Sequence, residues 1–327
     1  MKIAVIEKEH IVVKNVDKIT LGDRKGAIVK VLGCGLCGSD IVKFREHISK
    51  EGTVLGHEIV AEIVEINSDT KFKTGEKIVT SHHIPCGTCD YCRHGNVSMC
   101  KHFKSTNIRP GGFSEYVYLS EEHLQNVAHP MPENLSEIEA SFYEPLGCCV
   151  RAVKRAKLMD GSKVLVVGLG SIGILMSQAL KAYGMNVMGC DLIQDRIERL
   201  QNLGIDAVDS RDLEQTEVFD AVFMTSGADK AIDVALKTIK SGGTILVFSS
   251  TPHNTGYPNN EIYYRELTVL GSYSPAPVDL KDSLELLRTG KVNVKDLSTV
   301  YSLDDIQKAF DDTIANRIMK AYIKIKD

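Results

Sequence analysis

Cys86-Gly-Thr-Cys89-Asp-Tyr-Cys92, closed by Cys100, sets four thiols in a C-x2-C-x2-C-x7-C run. Each two-residue gap lets a tight turn point its cysteines inward, so four thiolates at this spacing can converge on one tetrahedral Zn²⁺. Gly87, Gly95 and Asn96 supply the turns. A closed site of this kind is structural, because no coordination position is left for a substrate. The competing readings are a loop of reduced cysteines or a pair of disulfides. A second set lies upstream, Cys34-Gly-Leu-Cys37-Gly-Ser39-Asp40, followed by Gly56-His57-Glu58. Taken alone, its C-x2-C suits redox chemistry as well as metal binding, and a lone histidine is more often structural than a ligand.

A third constellation is Val164-Leu-Val-Val-Gly168-Leu-Gly170-Ser171-Ile172-Gly173, an apolar run leading into G-x-G-x-x-G, with Asp191 eighteen residues past the last glycine. Here Gly168 permits the tight turn, Gly170 the approach of backbone to a pyrophosphate, and Gly173 close packing of helix on strand. The free N–H groups at the start of the following helix favour the pyrophosphate's charge. Asp191 is placed to accept hydrogen bonds from the adenosine ribose hydroxyls and to repel a 2′-phosphate, which favours NAD over NADP.

These residues need elements to hold them. Ala27–Leu32, Ile59–Ile66, Lys77–Thr80 and Glu115–Leu119 read as strands, so residues 1–145 form an all-β, barrel-like unit with the cysteine lobe inserted. At Pro145 a helix begins. Strands at Lys163–Gly168, Asn186–Asp191, Ala221–Thr225 and Thr244–Phe248 then alternate with helices at Ile172–Ala182, Gln194–Leu203 and Lys230–Leu236. That order implies a parallel sheet with right-handed crossovers. Helices at Leu280–Leu287 and Leu303–Ala315 and a strand at Lys320–Ile325 complete the chain.

Composition bounds the function. A chain of 327 residues suggests about two domains, and 43% hydrophobic with 25% charged residues is ordinary for a globular protein. A formal charge of -4 and a pI near 6.2 argue against nucleic acid or an anionic membrane as partner. No uncharged apolar run reaches membrane-spanning length, and the N-terminus lacks the features of a secretory signal. Nine cysteines, an odd number with four in a metal pattern, fit a reducing cytoplasm better than a disulfide framework.

CGLCGSD, GHE, GEKIV, the cysteine lobe, GGFSEY, Glu144-Pro145 and GLGSIG follow one another over essentially the whole chain. In that order they resemble the zinc-containing medium-chain dehydrogenase/reductase family, in its sorbitol and sugar-alcohol branch. The resemblance implies an α/β protein: a GroES-like β-barrel catalytic domain over 1–145 with the structural zinc lobe, a Rossmann NAD-binding domain with a doubly wound parallel sheet over 146–274, and a return to the catalytic domain over 275–327.

It also implies two zinc ions per chain. Cys86, Cys89, Cys92 and Cys100 hold the structural ion. Cys37 and His57 bind the catalytic one, with Glu144 or Glu58 as the third ligand and Cys34 outside the shell. Simple alcohol dehydrogenases carry a cysteine where this chain has Glu144, whereas polyol and threonine dehydrogenases carry a glutamate. The catalytic zinc acidifies a substrate hydroxyl, Ser39 passes the proton outward, and hydride goes to the nicotinamide. Where relatives often continue the relay with a histidine this chain has Val42, so water, a ribose hydroxyl or His47 takes that part.

Further nicotinamide-nucleotide contacts carried over are Arg196 beside the adenine, and Gly227, Ser249, Ser272 and Tyr273 at strand ends. The substrate expected is a polyol, sugar alcohol, cyclitol or phosphate ester. Threonine and simple alcohols are the alternatives. Lys43, Arg45, His47 and Lys50 between Cys37 and His57 suit either a phosphate group or a solvated surface loop. Two rival classes are a reductase without catalytic zinc and a zinc-ribbon-like binding protein without turnover. A homodimer or homotetramer is expected, with a β-rich Ile262–Tyr273 segment extending a sheet across a two-fold axis.

Overall fold

Apolar, largely β-branched residues fill Gly26–Gly35 and Glu58–Asn67, and these become the two longest strands. The structure is a computed structural model and describes residues 1–214, 216–228, 230–250 and 256–325. Two compact units form: Met1–Pro145 with Ala276–Arg288 and Val294–Asp327, and Leu146–Pro275 with Thr289–Asn293. The short Thr289–Asn293 piece groups with the second unit because Gln178 holds Asn293 at both its N–H and its carbonyl (2.7 and 2.9 Å).

In the first unit a seven-stranded sheet runs in the order Ser298–Ser302, Lys320–Lys324, Gly26–Gly35, Glu58–Asn67, Lys77–Thr80, Ala128–Pro130, with Tyr116–Ser120 also paired to Gly26–Gly35. A separate hairpin, Lys2–Glu7 and His10–Asn15, has no counterpart among the strands read from sequence. One core, including Val29, Ile59, Ile63, Phe113, Phe310 and Ile323, lies beneath the sheet.

Register decides what sits at the sheet's end. Gly35 opposes Glu58 on one side and Tyr322 on the other, while Ile59 opposes Thr80. Continued two residues past the last pair, the antiparallel register of the last two strands sets His57 against His82, and their ring centroids are 4.4 Å apart. Four neighbouring strands thus bring Cys37, His57, Glu58, His82 and Lys320 to one end. Gly35 keeps room there, since a Cβ on it would overlap the Glu58 carboxylate.

In the second unit six strands, all parallel, run Asp206–Asp209, Asn186–Asp191, Lys163–Val167, Phe219–Met224, Ile239–Val247, Thr268–Gly271. Helices Ser171–Ala182, Gln194–Asn202, Ala231–Thr238 and Asn259–Tyr264 form the crossovers. The strand order reverses at Lys163–Val167, the topological switch point where open α/β sheets bind nucleotides.

Two expectations need correction. The helix read from Pro145 begins at Tyr143, so Pro145 is its third residue, still in the first turn where a missing N–H costs nothing. The Ile262–Tyr273 segment is not one β-rich run. Ile262–Tyr264 close a helix, and only Thr268–Gly271 pairs, as the last strand of the sheet. Short apolar runs cannot be assigned to helix or strand by composition alone.

Gly173 marks the tightest contact of the nucleotide-binding turn, since a Cβ there would overlap the Gly168 carbonyl oxygen. Gly173→Ala is expected to cost about 1–3 kcal/mol through overpacking, read as a lower midpoint in urea unfolding. A midpoint equal to the parent's would show that the turn tolerates a methyl group.

Candidate active site

The cysteine lobe is a set of short turns: helix Asp90–Arg93, a 3₁₀ turn at Val97–Met99 and helix Lys101–Ser105. Gly87 and Gly95 both take positive φ (73° and 75°), which lets the chain fold back on itself. The four sulfurs lie within 4.8 Å of one another, with Cys86–Cys100 at 3.5 Å, Cys89–Cys92 at 3.6 Å and Cys86–Cys92 at 4.0 Å. Sulfurs on a tetrahedral zinc with ~2.3 Å bonds sit about 3.8 Å apart, and disulfide sulfurs about 2.05 Å. The geometry is therefore that of a metal cage. Backbone N–H groups of Thr88 and Cys89 draw the Cys86 thiol down to about 5, while burial and the neighbouring thiols push Cys92 up to about 12. Four crowded thiolates need a cation to coexist, which fits zinc.

The second cluster is built around His57. Cys37 is the N-cap of helix Gly38–Arg45, and Asp40, three residues on, closes a capping box with it. That helix carries Lys43 and Arg45, so the segment between Cys37 and His57 is more than a loop. Asp40 is buried and its carboxylate lies 3.4 Å from His57 Nδ1, which fixes the ring and leaves Nε2 for another partner. Burial disfavours a charged His57, but Asp40 and the Cys37 thiolate outweigh it and pull the imidazole well above its ordinary value. The surroundings of His57 demand positive charge.

Donor atoms fall into two triads that share His57: Cys37–His57–Glu58 and His57–His82–Glu144, each within 4.8 Å. Glu144 is placed by the first turn of helix Tyr143–Ala156. There Tyr143 donates its hydroxyl to the Val127 carbonyl (2.8 Å), and Ser283 donates to the Tyr143 carbonyl (2.8 Å). Glu58 is buried and ion-paired to Lys320 at 2.5 Å, yet neither of its oxygens accepts a directed hydrogen bond. Burial opposes the charge on Lys320, but Glu58 and then Cys37 hold its pKa up. Sulfur, imidazole and carboxylate donors, the latter two buried and with Glu58 Oε1 and His82 Nδ1 unpartnered among the described residues, suit a zinc ion. Cys34, by contrast, is a fully buried thiol whose S–H donates to the Gly35 carbonyl (3.4 Å).

Ser39 is exposed, its hydroxyl donating to Cys37 Sγ at 3.3 Å. Val42 is half-buried within the same helix, and His47 is exposed just beyond the helix end with φ 51°. Sequence reasoning missed three residues of the cluster: Asp40, His82 and Lys320. The capping-box spacing from Cys37 was the available signal for Asp40. His82 and Lys320 had none, since register alone brings them in. Burial, with the charge of His57 next, keeps His82 well below its ordinary value and hence neutral.

At the strand ends of the parallel sheet, Gly168 takes φ 95° and packs against Ser226, whereas a Cβ on Gly170 would meet nothing within 4 Å. The turn is thus open over Gly170 and closed by backbone at Gly173. Helix Ser171–Ala182 starts with Ser171 and Ile172, so its free N–H groups lie beside that space. Asp191 accepts from Leu169 N–H through one oxygen (2.6 Å) and from Leu192 and Ile193 N–H through the other (2.7 and 3.0 Å). Arg196 sits 3.6 Å from the same carboxylate. Gly227, Ser249 and Ser272 follow the next three strands, so parallel pairing brings them to this same edge. Tyr273 is exposed, and the Ser249 hydroxyl is buried without a partner.

Residues 23–132 match the alcohol dehydrogenase GroES-like domain, and residues 171–289 match the zinc-binding dehydrogenase domain. Sorbitol dehydrogenase 2 of Saccharomyces cerevisiae is 31% identical over 91% of this chain and 89% of its own. D-arabitol-phosphate dehydrogenase of Enterococcus avium is 30% identical over 91% and 89%. A zinc-binding dehydrogenase of Sinorhizobium meliloti, solved with NADP, superposes with a TM-score of 0.88 at 25% identity, covering 99% of both chains. The chain belongs to the zinc-containing medium-chain dehydrogenase family, with a GroES-like domain and a Rossmann-type parallel sheet. No helix among the described residues is long and apolar enough to cross a membrane.

Cys89→Ser is expected to lower bound zinc from two ions per chain to one and to drop the melting temperature, because a structural zinc contributes directly to folding. Elemental analysis and a thermal melt check this. A parent-like melt with one zinc lost would mean that the lobe's ion is not structural.

Proposed function

We propose that this protein is a zinc-dependent polyol dehydrogenase that oxidises a secondary hydroxyl of a polyol, sugar alcohol, cyclitol or phosphate ester to a ketone, with NAD as acceptor. The observation that carries the reading is the pair of donor triads that share the buried His57, one with half-buried Cys37 and buried Glu58, the other with buried His82 and Glu144, a donor set with a carboxylate where simple alcohol dehydrogenases place a second cysteine. Relatives named sorbitol dehydrogenase, D-xylulose reductase and D-arabitol-phosphate dehydrogenase, each matched over nine-tenths of the chain, support the polyol class.

In this reading Cys37, His57 and Glu144 hold the catalytic zinc, and Glu58 stands behind it on Lys320. Zinc supplies a Lewis acid that makes an alcohol acidic near neutral pH, and NAD supplies the hydride acceptor. Asp40 orients His57. Ser39, at the exposed edge against Cys37, takes the released proton towards solvent. Gly168, Gly170, Ser171, Ile172 and Gly173 receive the pyrophosphate, and Asp191, with oxygens still able to accept, the ribose hydroxyls. Arg196, Gly227, Ser249, Ser272 and Tyr273 line the remainder of the nucleotide.

Lys43 and Arg45 lie on the helix that begins beside Cys37, and their charge keeps phosphate esters among the substrates proposed. Thr268–Gly271, the last strand of the sheet, offers its free side to the same strand of a second copy, and we take a homodimer or homotetramer as the assembly. All nine cysteines are free, in keeping with a cytoplasmic enzyme.

Zinc-loaded protein with NAD, followed by nicotinamide absorbance over polyols, cyclitols, their phosphates, threonine and short alcohols, is expected to yield NADH with the polyol group. No turnover with any of them would overturn the reading. Cys37→Ser or His57→Ala is expected to abolish turnover while NAD affinity stays within about threefold. Loss of both would assign these residues to the fold. Asp191→Ser is expected to narrow the preference for NAD over NADP, and an unchanged ratio removes Asp191 from the ribose site.

A further inference from the structure

More donors converge on His57 than a catalytic zinc uses. Glu58 and His82 are the surplus pair, one in each triad. Their surroundings differ. The Glu58 charge is already matched by the buried Lys320 ammonium, which the Leu36 carbonyl also holds at 3.3 Å. Glu58 Oε2 is committed to that ion pair, and drawing the carboxylate to a second cation would weaken the pairing that keeps Lys320 charged in the core.

His82 has the opposite problem. Its side chain is buried at 8% exposure, and Nδ1 has no hydrogen-bond partner among the described residues. The residue is held at its backbone, where the carbonyl oxygen lies 3.1 Å from His123 Nε2. Its ring lies between those of His57 and His83, tilted 42° to each, with centroids 4.4 and 3.9 Å away. His83 is fixed in turn by the Thr106 carbonyl and packs on Phe103, just beyond Cys100 of the metal lobe. Such an imidazole, locked in place and missing a partner, is costly unless something meets it.

Charge counting identifies the partner. A Cys37 thiolate and a Glu144 carboxylate balance the two positive charges of zinc, and neutral imidazoles add donors without adding charge. We infer that His82 is a further protein donor to the catalytic zinc, which it shares with Cys37, His57 and Glu144 while Glu58 stays with Lys320. The inference rests on reading this cluster as the zinc site of a dehydrogenase.

The test uses full-length protein with zinc kept in the cysteine lobe and cobalt(II) exchanged into the second site. In His82→Cys, the thiolate-to-cobalt charge-transfer band is expected to grow from one thiolate's intensity to two. In His82→Ala, zinc affinity of that site is expected to fall at least about tenfold, with added imidazole restoring the parent's cobalt spectrum. An unchanged band in His82→Cys, together with parent-like affinity and spectrum in His82→Ala, would overturn the inference. Cys37→Ser, measured alongside, separates the two readings. If it too keeps the parent's band and affinity, the cluster is not the catalytic zinc site at all. If it loses the band while His82→Cys adds nothing, only the role of His82 fails.

Discussion

Electroneutrality in a buried space is the constraint on which the first unit depends. Asp40, Glu58, Glu144 and the Cys37 thiolate crowd into the end of one sheet, with Asp40, Glu58 and Glu144 almost fully buried. A Lys320 ammonium answers one of these charges and the His57 imidazole is pulled towards protonation by two others. Buried charges without partners are too costly to persist. The site therefore has to be completed by cations, and the donor types select a metal rather than more lysines.

Strand register makes that crowding possible. Glu58 opposes Gly35, and the absence of a side chain at Gly35 leaves the space that its carboxylate fills. The pairing of Ile59 with Thr80, extended outward, puts His82 against His57. A shift of one residue would turn every one of these side chains to the opposite face. The apolar core of this unit, which locks the register, is thus also what brings these donors together.

The second unit solves a different problem with backbone rather than side chains. Its Gly168–Gly173 turn is held by Thr225, whose hydroxyl donates to the Gly168 carbonyl at 2.6 Å, and by Asp191 accepting from Leu169 N–H. Asp191 therefore ties the glycine turn to the neighbouring strand while presenting a carboxylate where a ribose is expected. Its three backbone hydrogen bonds, from Leu169, Leu192 and Ile193 N–H, account for its burial at 9% exposure.

Patterns local in the chain were legible in the sequence. The cysteine knuckle, the strand-to-glycine-turn-to-helix motif and the strands at Lys77–Thr80 and Asn186–Asp191 depend on spacing over a few residues, and the structure places all of them within a residue of the reading. Cys37, His57, Glu58 and Glu144 were named through motifs rather than geometry, and the structure distributes them over two triads that share His57. Asp40 lay in plain sight within a capping box. His82 and Lys320 were not legible, because they meet His57 and Glu58 only through pairing of strands distant in sequence. The Ile262–Tyr264 turn of helix misled for a related reason, since a short apolar run takes its conformation from what it packs against. The sequence by itself determined the donor types, the local turns that present them and the two-part architecture. Only the tertiary structure decided which donors share a space and which charges cancel, because both depend on long-range register and on the low-dielectric interior that register creates.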